Sequence, residues 1–310
     1  KNIAPLREKP PPEATFLEYT HKPFSVENAP GFGHQICNLL SLVEEARQLS
    51  RIPILPPVVI PPGQNNGIAA CSRFNKYLSF SGLLPDVDVL NYHDAREMDF
   101  SSSIEISAET KTATLQGNQA QLVVREFTNW NYFDVENVLP YSLGSKDGTS
   151  RRWLNTYAYK RIRPSFRVRQ ITSQILRTLP EPLTAIHVRR GDRLINNPHW
   201  DQMTRPENII DRIKRWAPAG KSLYVLTNEK DTGFFDSMKS YYDIKTSTDF
   251  PVLRQLVEEE QDNFMLFAIE MEIMKQAAFC ISTEFYKGPV LTPYSLMGPA
   301  DLPKPSHKAV

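Results

Sequence analysis

This chain of 310 residues is short of cysteine, of net charge and of long apolar runs, and each shortage excludes something. The three cysteines, Cys37, Cys71 and Cys280, stand at spacings of no metal-ligand pattern and allow at most one bridge, which excludes a disulfide-stapled scaffold. Cys37 falls in a helical pattern and Cys280 in the run Phe279-Cys280-Ile281, so both read as buried hydrophobes. A formal net charge of +1 leaves no global attraction to nucleic acid or to an anionic membrane surface. No stretch reaches the roughly 18 consecutive apolar residues of a membrane span. There is no signal peptide, so the chain as given is expected to be soluble and not membrane-bound. The absence of any Asn-x-Ser/Thr acceptor argues against a heavily glycosylated secreted protein. The first residue is Lys1 rather than Met, which points to an N-terminal segment removed from the natural product.

What is present has ordinary globular proportions: 41% hydrophobic, 10% aromatic and 23% charged residues. The length exceeds what one core comfortably serves, so two domains, or one domain carrying a large lobe, are expected. Glycine is scarce at 13 against 25 prolines, and eleven of those prolines lie within the first 62 residues. Pro10 to Pro12 read as a polyproline tether. Pro53, Pro56 and Pro57 instead interleave with Ile52, Ile54, Leu55, Val58 and Val59, as a buried strand running into a rigid loop would.

Phe16 to Tyr19 read as a strand. After the segment Gly31-Phe32-Gly33-His34-Gln35, apolar residues recur at Ile36, Leu39, Leu40 and Val43, the spacing of an amphipathic helix ending near Leu49. Arg51 to Leu55 form a second strand, and strand, glycine turn, helix, strand is the βαβ unit of a parallel sheet. Residues 63 to 125 are polar and weakly patterned, and read as an insertion with short elements. Leu183 to Val188 and Leu223 to Leu226 are strands, with a helical stretch around Phe234 to Tyr241. Asp262 caps a long, mostly apolar helix, and Phe279 to Ile281 form a last strand. The polar residues of interest follow strand carboxyl ends, the edge where open parallel sheets bind ligands.

Two glycines at a strand-to-helix turn let backbone N–H groups approach a phosphate, although the segment lacks both the dinucleotide fingerprint and the Lys-Ser/Thr of a P-loop. In His187-Val188-Arg189-Arg190-Gly191-Asp192, alternation places His187 and Arg189 on one side of the strand end. A guanidinium there suits bidentate pairing with phosphate oxygens, or pairing with a buried carboxylate such as Glu270. Between residues 148 and 180 there are eight basic residues and no acidic one. That run reads as a solvated helical face; a nucleic-acid surface is the competing reading, and nothing else in the chain asks for it.

Taken in order, these segments resemble the O-fucosyltransferase-like superfamily of glycosyltransferases, which includes α1,2- and α1,6-fucosyltransferases and plant rhamnosyltransferase relatives. The glycine turn with Gln35 and the Pro-Pro strand look like its N-terminal pattern. IHVRRGD at 186 to 192 is similar to its His-x-Arg motif, and LYVLTNEKDTGFF at 223 to 235 to its Thr-Asp/Asn-Glu strand and helix. Glu270 to Thr283 look like its final block.

The resemblance implies an α/β chain of GT-B class, two facing Rossmann-like lobes with parallel sheets. The expected division is a Pro-rich tether over 1–14, an acceptor-side lobe over 15–160 and a nucleotide-sugar lobe over 161–310. It implies a metal-independent inverting glycosyltransferase that needs no cofactor and moves fucose from GDP-fucose to a protein Ser/Thr or glycan hydroxyl. The alternative is an impaired relative that only binds a nucleotide or glycan. Carried over, Arg189 binds the β-phosphate and compensates the leaving group, and His187 supports the donor or its ribose. Gly31, Phe32, Gly33, His34, Asn228, Glu270, Ser282 and Thr283 complete the donor site. His34 stands where the family has Asn, either as a general base or as a hydrogen-bonding group. Tyr286-Lys287-Gly288 replaces the family's Ser-Ser-Phe, so Lys287 either neutralises phosphate or marks an impaired site. The implied location is the lumen of the endoplasmic reticulum or Golgi, with the cytoplasm as the alternative.

Overall fold

A computed structural model describes residues 10–21, 25–27, 29–65, 67–82, 89–128, 162–196, 199–214, 217–231 and 233–282. The chain divides into two units, Lys1–Ser165 and Phe166–Val310.

In the first unit, β1 (Phe16–His21) leads to α1 (Phe32–Gln48), followed by β2 (Ile52–Leu55) and β3 (Val58–Ile60). The helix forms because Leu39, Leu40, Leu42, Val43 and Ala46 make a continuous buried stripe. It stops because Ser50 adopts φ 55°, which lets the Arg51 N–H reach back to the Ala46 carbonyl at 2.8 Å. Next come β4 (Ala70–Ser72), β5 (Leu78–Ser79), β6 (Leu90–Asn91), α2 (Tyr92–Arg96), β7 (Ser103–Ser107), β8 (Leu122–Phe127) and β9 (Arg163–Pro164).

The main sheet is five-stranded, order β6-β2-β1-β8-β7, and all its pairings are parallel. Leu17, Tyr19 and Val123 pack on one face with Leu42 and Ala46 of α1. Phe16, Ile54 and Leu122 pack on the other with Leu90 and Ala95. Residues 63–125 are therefore not an insertion: they supply β6, β7 and β8, three of the five strands. Their signal is hidden by polar residues inside the sheet. Arg125, in the middle of β8, is fully buried in an ion pair with Glu45 of α1. Tyr19 and Thr112 donate to the same carboxylate, and three backbone carbonyls between Ser107 and Thr110 take the rest of the guanidinium. In the described part of the expected tether the Ala14 N–H donates to the Pro11 carbonyl, closing a turn, and the Gln121 amide donates to the Pro12 carbonyl.

The second unit begins with α3 (Phe166–Leu176) and β10 (Thr184–Val188), followed by α4 (Gly191–Asn196), α5 (His199–Met203) and α6 (Pro206–Ile213). It continues with β11 (Ser222–Thr227), β12 (Asp243–Lys245), α7 (Pro251–Glu258), α8 (Asn263–Gln276) and β13 (Phe279–Ser282). Its sheet is parallel throughout, order β12-β11-β10-β13. Ile186, Val188, Leu223 and Val225 face Ile209, Ile213, Phe235 and Met238. On the opposite face α8 packs on β10 and against α3, and the Asp262 side chain caps α8 by accepting from the Met265 N–H at 2.9 Å. The helical stretch expected around Phe234 to Tyr241 is a 3₁₀ turn over Asp236–Ser240. Among the described residues, no helix is long and apolar enough to cross a membrane.

Candidate functional site

The C-terminal sheet reverses its winding at β10. From β10 the chain moves outward through β11 to β12 and then returns to β13 on the other flank of β10. Such a switch point opens a crevice at the carboxyl ends of the two diverging strands. His187 and Ser282 are register partners there, and Arg189 follows directly beyond the end of β10.

His187 is buried, and its pKa is pushed down to about 3 by burial first and by the neighbouring Arg189 second. The ring is therefore neutral at physiological pH, with one nitrogen donating and the other accepting. Because side chains alternate along the strand, Arg189 shares the His187 side and Arg190 takes the other. Arg189 is half-buried, whereas Arg190 is buried among partners of its own.

Those partners hold Arg190 from every side. Its guanidinium donates to Glu229 at 2.6 Å, to Asp201 at 2.7 Å and to Thr204 Oγ1 at 2.6 Å, and it lies 4.0 Å over the Phe234 ring. Hydrogen bonds from Arg190 and then Arg205 hold the Asp201 carboxyl below its usual range. Burial acts upward on Glu229 but is outweighed by hydrogen bonds from the Asp231 N–H, Arg190 and the Lys230 N–H, so it too is lowered. Both carboxylates are ionised at neutral pH and match the arginine.

Asn228 follows the end of β11, and its Oδ1 accepts the Arg190 backbone N–H at 2.7 Å. Glu270, on α8, accepts from the Tyr224 hydroxyl at 3.0 Å, and burial pushes its pKa up to about 8, with the Tyr224 hydrogen bond opposing. Tyr224 is the register partner of Ala185, so this carboxyl is engaged one alternation step below His187. Thr283 and Lys287 lie outside the described residues.

In the first unit the winding reverses between β1 and β8, and α1 starts beyond the carboxyl end of β1. Gly31 is the N-cap, with φ −60° and ψ 160°, a conformation open to any residue. Gly33 and His34 lie in the first helical turn, and the His34 side chain lies outside the described residues. Phe32 is buried with its ring 4.9 Å from Tyr77 and 6.4 Å from Phe74, a packing position. Gln35 does the binding work of this segment, but on the protein's own backbone. Its amide donates to the Pro30 and Val59 carbonyls at 2.8 and 2.6 Å and accepts the Val59 N–H at 3.0 Å, locking the start of α1 onto β3.

No protein-family model matches this chain, and no curated protein matches it in sequence. Solved structures do match. POFUT1 in complex with GDP-fucose superimposes with a TM-score of 0.54 at 12% identity, over 89% of this chain and 92% of that one. NodZ α-1,6-fucosyltransferase co-crystallised with GDP gives 0.53 at 12% identity, over 87% and 88%. The fucosyltransferase NodZ from Bradyrhizobium gives 0.51 at 12% identity, over 86% and 87%.

The fold is the GT-B fold of the fucosyltransferases. Within the C-terminal lobe of this GT-B chain the structure brings His187, Arg189, Ser282 and Asn228 to one sheet edge, and sets Glu270 beneath it. Sequence reasoning missed Trp200, Asp201 and Thr204, which reach Arg189 and Arg190 from a segment with no motif of its own. It also passed over the structural role of Arg190, for which Glu229 in the Thr-Asn-Glu run was the available signal. An Asp-x-Asp spacing of the kind that holds a metal–nucleotide pair does occur, at Asp86-Val87-Asp88, and lies outside the described residues.

Proposed function

We propose that this chain is an inverting glycosyltransferase that moves fucose from GDP-fucose to an acceptor hydroxyl without a metal. The observation that carries the reading is the switch point of the C-terminal sheet, where His187, held neutral, and Ser282 are register partners and Arg189 follows the end of β10. POFUT1 and NodZ, whose structures share this fold, are described in complex with GDP-fucose and GDP, which supports a guanine-nucleotide donor.

In the proposed reaction the acceptor oxygen attacks C1 of the sugar from the face opposite the nucleotide. The C1–oxygen bond to the β-phosphate breaks, the electron pair leaves with GDP, and the acceptor proton passes to a base. Arg189 compensates the charge that develops on the leaving phosphate, as a preorganised cation in a partly dry site can. The neutral His187 donates a hydrogen bond to the donor without adding a second charge beside Arg189. His34 takes one of two roles, base for the acceptor proton or hydrogen-bond partner of the sugar, which a pH–rate profile of His34→Asn separates.

The test is GDP release from GDP-fucose, measured with and without EDTA, together with thermal shifts against GDP, UDP and GDP-fucose. Release that survives chelation and falls steeply but measurably in Arg189→Ala supports the reading. Loss of release on chelation moves the leaving-group role to a metal. Binding without release assigns the chain to the nucleotide-binding alternative, for which the replacement of Ser-Ser-Phe by Tyr286-Lys287-Gly288 is the motivating feature. No shift with any of the three nucleotides sinks both.

A further inference from the structure

One peptide unit, that between Arg189 and Arg190, is gripped at both of its polar ends by side chains. Its carbonyl, that of Arg189, accepts from the Trp200 indole Nε1 at 2.5 Å, and its N–H, that of Arg190, donates to Asn228 Oδ1 at 2.7 Å. A backbone hydrogen bond satisfied by a side chain is common; both ends of one peptide satisfied by two side chains from different segments is a device for fixing an orientation. The next residue is shaped around it. Gly191 has φ +20°, and a Cβ there would lie 2.5 Å from Asn228 Nδ2, so position 191 is empty of a side chain where Asn228 crosses it.

The side chain that follows the gripped peptide is an anchor. Arg190 is bonded to Asp201, Thr204 and Glu229 and stacked over Phe234, which ties the same peptide to α5 and to the loop after β11. The side chain that precedes it is Arg189. With β10 fixing the backbone before Arg189 and the grip fixing it after, the direction in which the Arg189 side chain leaves the main chain has no freedom left to choose.

We infer that Trp200 and Asn228 are positioning residues for Arg189, holding its guanidinium on the nucleotide diphosphate through the backbone rather than by touching the donor. The inference rests on the proposed transferase reading for the role of Arg189. It departs from the sequence expectation for Asn228, which assigned that residue to the donor itself. A displaced guanidinium costs rate steeply, because misplacement of about 1 Å can cost about a hundredfold.

The experiment is a double-mutant cycle on the full chain. Trp200→Phe removes one grip and keeps the ring; Asn228→Ala removes the other; Asn228→Asp keeps an oxygen that accepts the Arg190 N–H. Each is made in the parent and in Arg189→Ala, and each is read as kcat for GDP release and as GDP affinity by equilibrium titration, after a melting curve confirms folding. The expected result is a loss of about tenfold or more in kcat for Trp200→Phe and for Asn228→Ala in the parent, little further loss in Arg189→Ala, and substantial recovery of the alanine loss in Asn228→Asp. Equal losses in both backgrounds, or none in the parent, overturn the inference. An Asn228 that contacted the donor directly would give such equal losses. A parent that binds GDP without releasing it from GDP-fucose overturns the transferase reading while the affinity cycle still scores the grip, and a parent that does neither overturns both.

Discussion

Arg189 and Arg190 are adjacent in sequence and opposite in circumstance. Arg190 is buried, bonded to two carboxylates and a hydroxyl, and covered by an aromatic ring, so its charge is spent inside the protein. Arg189 is half-buried, on the side of β10 that carries His187, and its field helps keep that imidazole neutral. Arg190 builds the sheet edge through those partners, while Arg189 lies on the other side, the arrangement that alternation of side chains along an extended backbone gives two consecutive residues.

Gly191→Ala tests how tightly this edge is packed. The new methyl would lie 2.5 Å from Asn228 Nδ2 at a φ of +20°, so either the loop or the Asn228 side chain must move. The expected outcome is a loss of about 1–2 kcal/mol in urea unfolding together with weaker GDP binding. Unchanged GDP affinity would show that Asn228 tolerates displacement.

Stability should depend on pH from both sides. His187 is held down at about 3, so the unfolded chain binds its proton first and stability falls as pH drops below the ordinary histidine value near 6.5. Glu270 is raised to about 8, so the folded chain keeps a proton that the unfolded chain has lost, and stability falls as pH rises from the ordinary carboxyl range through 8. Between about pH 4.5 and 6.5 the two slopes oppose, which predicts a plateau with decline on either side. Urea midpoints from pH 4 to 8 check the curve, and Glu270→Gln, which keeps an acceptor for Tyr224, should flatten its alkaline limb. An alkaline limb that persists in Glu270→Gln would assign it to another group.

Breaking the buried pair of the first unit should cost more than exchanging it. Glu45→Ala leaves the fully buried Arg125 without its carboxylate and strips an acceptor from Tyr19 and Thr112, an expected loss of about 3–5 kcal/mol. Glu45→Leu with Arg125→Met removes both charges and should lose clearly less than the two single variants summed. Additive losses in urea unfolding would mean that the ion pair carries no coupling.

Gln35→Ala should destabilise the first unit by about 2–3 kcal/mol, since it orphans the Val59 N–H and removes the donor to two carbonyls. Gln35→Glu should not rescue it, because a carboxylate can accept the Val59 N–H but faces the Pro30 and Val59 carbonyls with no proton to give. Full rescue by glutamate would show that only the Val59 N–H contact matters.

The placement of the candidate residues along the edge of the C-terminal sheet was legible in the chain because they lie in short motifs at strand ends. His187 and Ser282 lie in, and Arg189 and Asn228 just after, short apolar runs that read as strands, and a parallel sheet brings strand ends together. The strands β1, β2, β10, β11 and β13 and the helices α1 and α8 were readable for the same reason, from uninterrupted apolar periodicity. The run from 63 to 125 was not, because Arg125 in β8 and the alternating Ser103–Ser107 of β7 carry the polarity of a loop while occupying a sheet.

Local sequence alone thus determined the strands β1, β2, β10, β11 and β13, the place of the glycine-led helix, and the pairing of His187 with Arg189 on one side of a strand end. Each of these depends on residues within a few positions of each other. Only the tertiary structure decided that Arg125 belongs inside a sheet, that Gln35 binds backbone, and that Arg190 is spent as an anchor while Trp200 and Asn228 hold the peptide before it. Those outcomes rest on partners far away in the chain, 80 residues apart for Glu45 and Arg125 and 38 for Arg190 and Asn228. A polar side chain does not reveal in its own neighbourhood which distant group will compensate its burial, and that compensation is what permits it to be buried at all.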